Sequence, residues 1–301
     1  MSSPAGTVLV TGASGFIGRH VCGRLLAAGK RVTGLTRRAD AGLVPGVEKA
    51  VGDVVTGAGL DAACTGVSAV VHLVGIIREQ GSATFDKVHV SGTRNVLQAA
   101  AAAGVPRFVH MSALGAGPES GSAYHASKAD AEALVREADC AWTIMRPSLV
   151  FGPGDDFFGG TLKELVTRPP VVPVVGSGKY PFRPVAVSDV ADAFARAVGL
   201  PDTAGATFEL AGPREYTLRE LLLLVRDTLG LKKPLVNIPL PLMWLGVNLF
   251  RLLPDPPVTR DEFLMLLAGN TADPGPAGEA FHLKLEPLEE HLPEILAAAG
   301  S

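Results

Sequence analysis

Thr7-Val8-Leu9-Val10-Thr11-Gly12-Ala13-Ser14-Gly15-Phe16-Ile17-Gly18 is the stretch whose reading decides the fold. The β-branched and apolar half reads as a strand, the glycines as a turn open to a ligand, and Phe16 to Ala28 as the helix that follows. Gly12 permits a tight turn off the strand, Gly15 puts no side chain between backbone and a pyrophosphate, and Gly18 lets the helix pack closely on the sheet. Phosphate would then rest on the unpaired amides of a helix N-terminus. The spacing is Gly-x-x-Gly-x-x-Gly rather than Gly-x-Gly-x-x-Gly, so the flanking elements carry much of the argument. Ile17, Val21 and Leu25-Leu26 supply an apolar stripe for that helix, while Arg19 and Arg24 can face water.

Working outward, a second strand from Arg31 to Leu35 runs into Thr36-Arg37-Arg38. An acidic residue there would accept ribose hydroxyls of NAD, whereas arginines favour the 2′-phosphate of NADP. Thr36 occupies the acidic position and Arg37 and Arg38 follow, so NADP(H) is the expected cofactor and NAD(H) the alternative. Val51-Gly52-Asp53-Val54-Val55 is a strand end with a carboxylate that could accept from an adenine amino group or simply form a turn. Ser68 to Gly75 is strongly apolar and suits a sheet centre covered on both faces. His72 within it reads as a buried, satisfied side chain rather than a base. Leu73, Val74 and Gly75 fall at the edge where a dinucleotide would run.

A helix from Phe85 to Gly104 and a strand from Arg107 to Ser112 continue the strand-helix alternation. The fold class is therefore α/β, a doubly wound Rossmann parallel sheet with a smaller C-terminal α/β lobe. Tyr124-His125-Ala126-Ser127-Lys128 opens the next helix, which runs to about Ala138 and places Tyr124 and Lys128 four apart on one face. An ammonium near a phenol lowers its pKa and could also hold a ribose hydroxyl. Beyond the strand Ala141 to Pro147 the alternation turns irregular. The expected division is a Rossmann domain over 1–150 to which 180–200 returns, and a smaller lobe over 151–179 and 201–301. In the second half Asp189 is placed to cap a helix, as are Thr217 and Thr259.

The 301 residues are 47% apolar with mean hydropathy +0.29 and net charge −3, a compact globular composition that gives no basic surface for nucleic acid. Cys22, Cys64 and Cys140 are scattered and read as small hydrophobes of a reducing compartment, and the histidines never pair at metal-ligand spacing. The first strand begins too early for a leader, so a cytoplasmic location is expected, with attachment at the inner face of a membrane as a variant. Val236 to Leu253 is the most apolar segment, but Pro239, Pro241 and Asn248 interrupt it. It reads as a core or interface helix, or one in peripheral membrane contact, and not as a transmembrane segment.

Taken together, Thr11 to Gly18, Gly52-Asp53, Tyr124-x-x-x-Lys128, Arg146 to Gly154 and Val187-Ser188-Asp189-Val190-Ala191 resemble the extended or atypical short-chain dehydrogenase/reductases. The narrower resemblance is to the nucleotide-binding accessory subunit of respiratory complex I and its bacterial relatives. It rests on His72 to Ile77, Met111 to Ala116 and Pro256 to Asp261. The resemblance implies cofactor contacts at Gly12, Ser14, Gly15, Phe16, Ile17, Gly18, Arg37, Arg38, Asp53, Val54, Leu73, Val74, Gly75, Lys128, Pro147, Leu149 and Val150. It also implies proton transfer at Tyr124 with Lys128, and a hydroxyl that orients the substrate carbonyl. That hydroxyl's usual position falls on Ala113, with Ser112 one residue earlier, and a one-residue slip at a strand end reverses the side chain. Two functions follow: a nucleotide-binding module with a structural or assembly role, partnered by complex I or another membrane-associated protein; or a reductase, epimerase or dehydratase acting on a carbonyl, sugar-nucleotide or quinone-like hydrophobic substrate. In the second, Tyr124, Lys128 and Ser112 are the catalytic candidates.

Overall fold

The computed structural model describes residues 6–250, 256 and 258–298. In chain order the first half runs β1 (Thr7–Thr11), α1 (Phe16–Ala27), β2 (Arg31–Thr36), β3 (Glu48–Val51), α2 (Leu60–Cys64) and β4 (Val67–His72). It continues through α3 (Gly92–Ala102), β5 (Arg107–Met111), α4 (Ala123–Arg136) and β6 (Ala141–Pro147). Next come β7 (Val150–Phe151), α5 (Lys163–Thr167), β8 (Val172–Val175), β9 (Pro181–Phe182), β10 (Val185–Ala186), α6 (Val187–Ala197) and β11 (Ala206–Leu210). The remainder is β12 (Tyr216–Thr217), α7 (Leu218–Thr228), β13 (Leu235–Ile238), α8 (Leu240–Phe250), α9 (Arg260–Ala268), α10 (Gly275–Ala280) and α11 (Leu288–Ala298).

Seven strands make one parallel sheet in the order β11-β6-β5-β4-β1-β2-β3. The reversal of direction at β1 is the doubly wound arrangement, and it leaves a crevice at the carboxyl ends of β1 and β4. Leu9, Val70, Phe108 and Ile144 are buried on one face of this sheet against Val96 and Ala99 of α3 and Val135 of α4. Alternation of inward residues along each strand makes that layer continuous.

The chain separates into two compact units. The first comprises 1–147, 187–210 and 275–284, and the second 148–186, 211–274 and 285–301. The segment returning to the sheet unit is thus 187–210 rather than 180–200, because β11 pairs in parallel with β6 from Ala206↔Thr143 to Leu210↔Pro147. A further stretch, 275–284, also belongs there, with Phe281 edge-on to Phe208 at 4.8 Å. The second unit has its own core of Phe151, Phe158, Leu162, Val174, Leu221, Leu222, Leu292 and Ile295.

Local signals behave unevenly. Thr217 and Thr259 each form a capping box, with Glu220 and Glu262 respectively, and start α7 and α9. Asp189 lies inside the first turn of α6, which begins at Val187, so it is not the cap residue. The apolar segment from Val236 is not one helix: Leu235–Ile238 pairs with β8, and α8 starts only after Pro239. Its expected continuation over 251–253 lies outside the described residues. Among the described residues no helix is long and apolar enough to cross a membrane.

Candidate cofactor and catalytic site

The glycine turn has the geometry its spacing implies. Gly12 adopts φ 74°, in the left-handed region, and its carbonyl accepts from the Gly15 amide at 3.0 Å. A Cβ on Gly18 would lie 2.1 Å from the Gly12 oxygen, so only glycine lets α1 approach the turn this closely. Gly15 is exposed and is the N-cap of α1, with no side chain capping the first-turn amides. The uncapped amides and the positive end of a twelve-residue helix, behind an exposed Gly15, fit a dinucleotide pyrophosphate. Arg19 Nε donates to the Ser14 carbonyl at 3.0 Å and holds the turn from its outer side. Phe16 and Ile17 are half-buried beside it.

Neighbouring strand ends complete a rim. Leu73 and Val74 abut Gly12, whose absent side chain would otherwise meet their backbone at 3.3 Å. At the end of β2, Thr36 Oγ1 donates to the Arg38 carbonyl at 3.0 Å, so its hydroxyl is spent on the turn and not offered outward. Arg37 and Arg38 are exposed, and Arg38 sits 3.6 Å from the equally exposed Asp40 carboxylate, a weak surface pairing. Asp53 Oδ1 accepts from the Val55 amide at 2.8 Å, which makes it a turn former with one carboxylate oxygen to spare; Val54 is buried behind it. Pro147 ends β6 in the same unit. Leu149 and Val150 belong to the second unit, where the Leu149 amide donates to Asn270 Oδ1 and Val150 pairs with Val185.

Tyr124 and Lys128 lie in the first turns of α4, which Ser122 caps through its hydroxyl and the His125 amide. The Lys128 ammonium is buried, donates to the Met111 carbonyl at 3.2 Å, and stands 6.0 Å from the centre of the Tyr124 ring. Burial pushes its pKa down to about 8, with Glu132 one turn away pulling part of the way back. Gly75 forms the adjoining wall: a Cβ there would lie 3.0 Å from Lys128 Nζ and 3.4 Å from His89 Nε2. The Tyr124 ring is enclosed by edge-on contacts with Phe85, His89 and His125 at 5.8, 5.6 and 5.3 Å. The arrangement can supply a phenolic proton donor beside a cation of tunable charge.

Ser112 directly follows Met111, whose carbonyl Lys128 contacts. Its amide continues the β5–β6 ladder to Met145 O at 2.7 Å, and its buried hydroxyl sits beside the Glu132 carboxylate without reaching hydrogen-bond geometry. Glu132 is fully enclosed and accepts from both Arg146 (2.7 and 2.7 Å) and Arg136 (2.8 Å). Burial alone would raise its pKa, but the Arg146 guanidinium, with Ser112 and Arg136 adding to it, holds it below the usual carboxylate range. Ser112 therefore borders an ion cluster inside the α/β layer.

Two residues that sequence reasoning did not single out complete the surroundings of Tyr124. His89 Nδ1 and Ser127 Oγ are 2.8 Å apart, and Ser127 Oγ donates to the Tyr124 carbonyl at 2.7 Å. His72, read as a satisfied buried residue, contacts Thr11 Oγ1 at 2.7 Å and Thr93 Oγ1 at 3.1 Å, and burial followed by the Lys128 charge pushes its pKa down to about 3.

Comparison with known proteins gives this arrangement a lineage. A model of the NAD dependent epimerase/dehydratase family matches residues 8–211. The chain belongs to that family. Within it, the ceramide reductase of Caulobacter vibrioides is 36% identical over 244 residues, covering 78% of this chain and 74% of its own. Subunit 9 of the mitochondrial NADH dehydrogenase (ubiquinone) 1 alpha subcomplex of Mus musculus is 34% identical over 278 residues, covering 87% and 72%. The solved structure of MoeE5 in complex with UDP-glucose and NAD superposes with a TM-score of 0.75 at 23% identity over 98% of this chain and 99% of that one, a likeness of fold. This epimerase/dehydratase-family chain thus has both a reductase and a respiratory-complex subunit among its relatives.

Proposed function

We propose that this family member binds NADP(H) along the Gly12–Gly18 turn and reduces a carbonyl on a hydrophobic substrate, with Tyr124 as proton donor. The observation that carries the reading is the buried Lys128 ammonium beside the Tyr124 ring, walled by the bare Gly75. Enclosing a lysine against one carbonyl is costly, and a ribose hydroxyl together with a developing phenolate would repay it. When bound, the nicotinamide supplies the hydride. This chain's residues hold the dinucleotide, orient the carbonyl and deliver the proton from Tyr124 Oη. The enclosure of Ser112 beside Glu132 supports a site in which Tyr124 polarises the carbonyl without a flanking serine. Exposed Arg37 and Arg38, with Thr36 in place of an acid, support NADP(H) over NAD(H).

Calorimetric titration of the full chain is expected to show tighter binding of NADPH than of NADH, and equal affinities would refute the cofactor choice. Tyr124→Phe should lower NADPH oxidation with hydrophobic ketones at least about 100-fold while leaving NADPH affinity within a few-fold. Undiminished turnover in that variant would remove Tyr124 from the chemistry.

A second reading is favoured by the same enclosed Ser112 and by the respiratory-complex relative: a module in which bound NADP(H) stabilises the fold and the chain docks on a membrane-associated partner, at the inner face of the membrane. Tight NADPH binding with no oxidation by any ketone, and co-migration with a large complex in native gels, would select it.

A further inference from the structure

His89 lies in a single turn of π-helix, Asp86–Ser91, that runs straight into α3. Such an insertion re-aims one side chain relative to a regular helix, and it recurs at functional sites. Here the re-aimed side chain touches two separate segments, the loop after β4 and the start of α4. Its Nε2 accepts from the Ile76 amide at 3.0 Å, in the loop after β4. Its Nδ1 meets Ser127 Oγ at 2.8 Å, in the first turns of α4. Its ring lies edge-on to Tyr124 at 5.6 Å and stacks on Phe85 at 5.5 Å.

The proton positions in this chain of bonds follow by elimination. Burial, with the Lys128 charge adding to it, keeps the imidazole neutral, and the Ile76 amide occupies Nε2, so Nδ1 carries the proton. Ser127 Oγ must then accept from Nδ1, which leaves its own proton for the Tyr124 carbonyl at 2.7 Å. Ile76 to His89 to Ser127 to Tyr124 is a one-way series of donors and acceptors. It ties the loop beside Gly75 to the backbone of the proton donor.

We propose that His89, acting through Ser127, is a positioning residue that fixes Tyr124 relative to the Gly75–Ile76 loop. The inference rests on the reading of Tyr124 as proton donor, but its test needs no substrate. The role needs a side chain that accepts on one side and donates on the other, as the imidazole does here. Asparagine at 89 can keep the donor towards Ser127, while phenylalanine keeps the ring and loses both bonds.

The chain has three tyrosines, so protein labelled with 13C at tyrosine Cζ gives three resonances, and the one lost in Tyr124→Phe belongs to Tyr124. The pH titration of that resonance is followed in the full-length wild type and in Ser127→Ala, His89→Phe and His89→Asn. Ser127→Ala, a small change on a helix, and His89→Phe are each expected to move the Tyr124 midpoint by about half a pH unit or more, roughly threefold in proton affinity. His89→Asn is expected to restore it to within about a fifth of a unit. Unmoved midpoints in both Ser127→Ala and His89→Phe would overturn the proposal, as would an asparagine variant shifted as far as the phenylalanine one. If these shifts appear in a protein that does not bind NADPH, the positioning role stands and the reductase reading falls.

Discussion

Lys128→Met tests whether the buried ammonium is kept for function at the expense of stability. The lysine titrates near 8 in the folded protein against 10.5 for the free side chain, so the folded state releases its proton first. Below pH 8 the charged form is carried into the interior and the full penalty is present; as pH rises towards 10.5 the unfolded state loses its proton too and the penalty disappears. Converting that difference at about 1.4 kcal/mol per pH unit gives a penalty of roughly 3 kcal/mol at pH 7, falling to about 1.4 kcal/mol at pH 9.5. Methionine fills a similar volume without charge, and it forfeits one hydrogen bond to the Met111 carbonyl, worth about 1 kcal/mol. The variant should therefore be about 2 kcal/mol more stable than wild type at pH 7, and the gap should close by about pH 9.5. Urea unfolding of both proteins between pH 6.5 and 9.5, without nucleotide, measures it. The difference between the two curves cancels every other titrating group. A Lys128→Met protein no more stable than wild type at pH 7, or a gap independent of pH, would refute the assignment of a strained ammonium. On the proposed function the same variant should also lose NADPH affinity, because Lys128 is the group proposed to hold a ribose hydroxyl.

Gly18→Ala should cost about 1–3 kcal/mol despite alanine's better helix propensity, because its Cβ would stand 2.1 Å from the Gly12 oxygen; thermal melts and an NADPH titration at least tenfold weaker would register it. Glu132→Gln should destabilise by about 3 kcal/mol, since it strands the half-buried Arg146, with Glu209 at 3.8 Å compensating only in part. Because the Glu132 carboxyl titrates below its free value, its contribution is complete at neutral pH. It should be lost as pH falls below the ordinary carboxylate range, so denaturant midpoints of wild type and Glu132→Gln should converge in acid.

The sheet and the nucleotide turn were legible because each is written locally. A strand, a glycine turn and an amphipathic helix occupy adjacent residues, so Gly12, Gly15 and Gly18 could be given their separate expected tasks from the spacing together with its flanking elements. The capping boxes at Thr217 and Thr259 are local in the same way. The segment 206–210 was not, because its place beside β6 depends on pairing across the chain and nothing in Thr207-Phe208-Glu209-Leu210 names that partner. Nor was the division of Val236–Phe250 into strand and helix, since an apolar run of that length suits either element until β8 is there to pair with. His89 and Ser127 left no signal at all. A π-turn has no sequence signature, and it is that turn which carries the imidazole to both Ile76 and Ser127.

Just past the end of β5, at Ser112-Ala113, register decides to which side of the sheet a hydroxyl is directed. Successive residues at a strand end face opposite sides, so His110 and Ser112 share a side. His110 lies with His72 and Phe108 in the buried layer, and Ser112 meets Glu132 there. A hydroxyl directed the other way would have to sit at 113, where the chain has alanine. Restoring one is therefore a direct probe. Ala113→Ser adds a single oxygen at a site that is 8% exposed, and the new hydroxyl should cost about 1 kcal/mol or less if it is directed towards solvent or ligand. If the proton donor and dinucleotide turn are otherwise complete, this variant should raise the rate of NADPH oxidation with ketones by about tenfold or more and leave NADPH affinity unchanged. No gain, in a variant that folds and binds as well as wild type, would mean that Tyr124 already works without a flanking hydroxyl or serves binding alone. Tyr124→Phe kinetics separate those two, because only the first loses turnover when the phenol is removed.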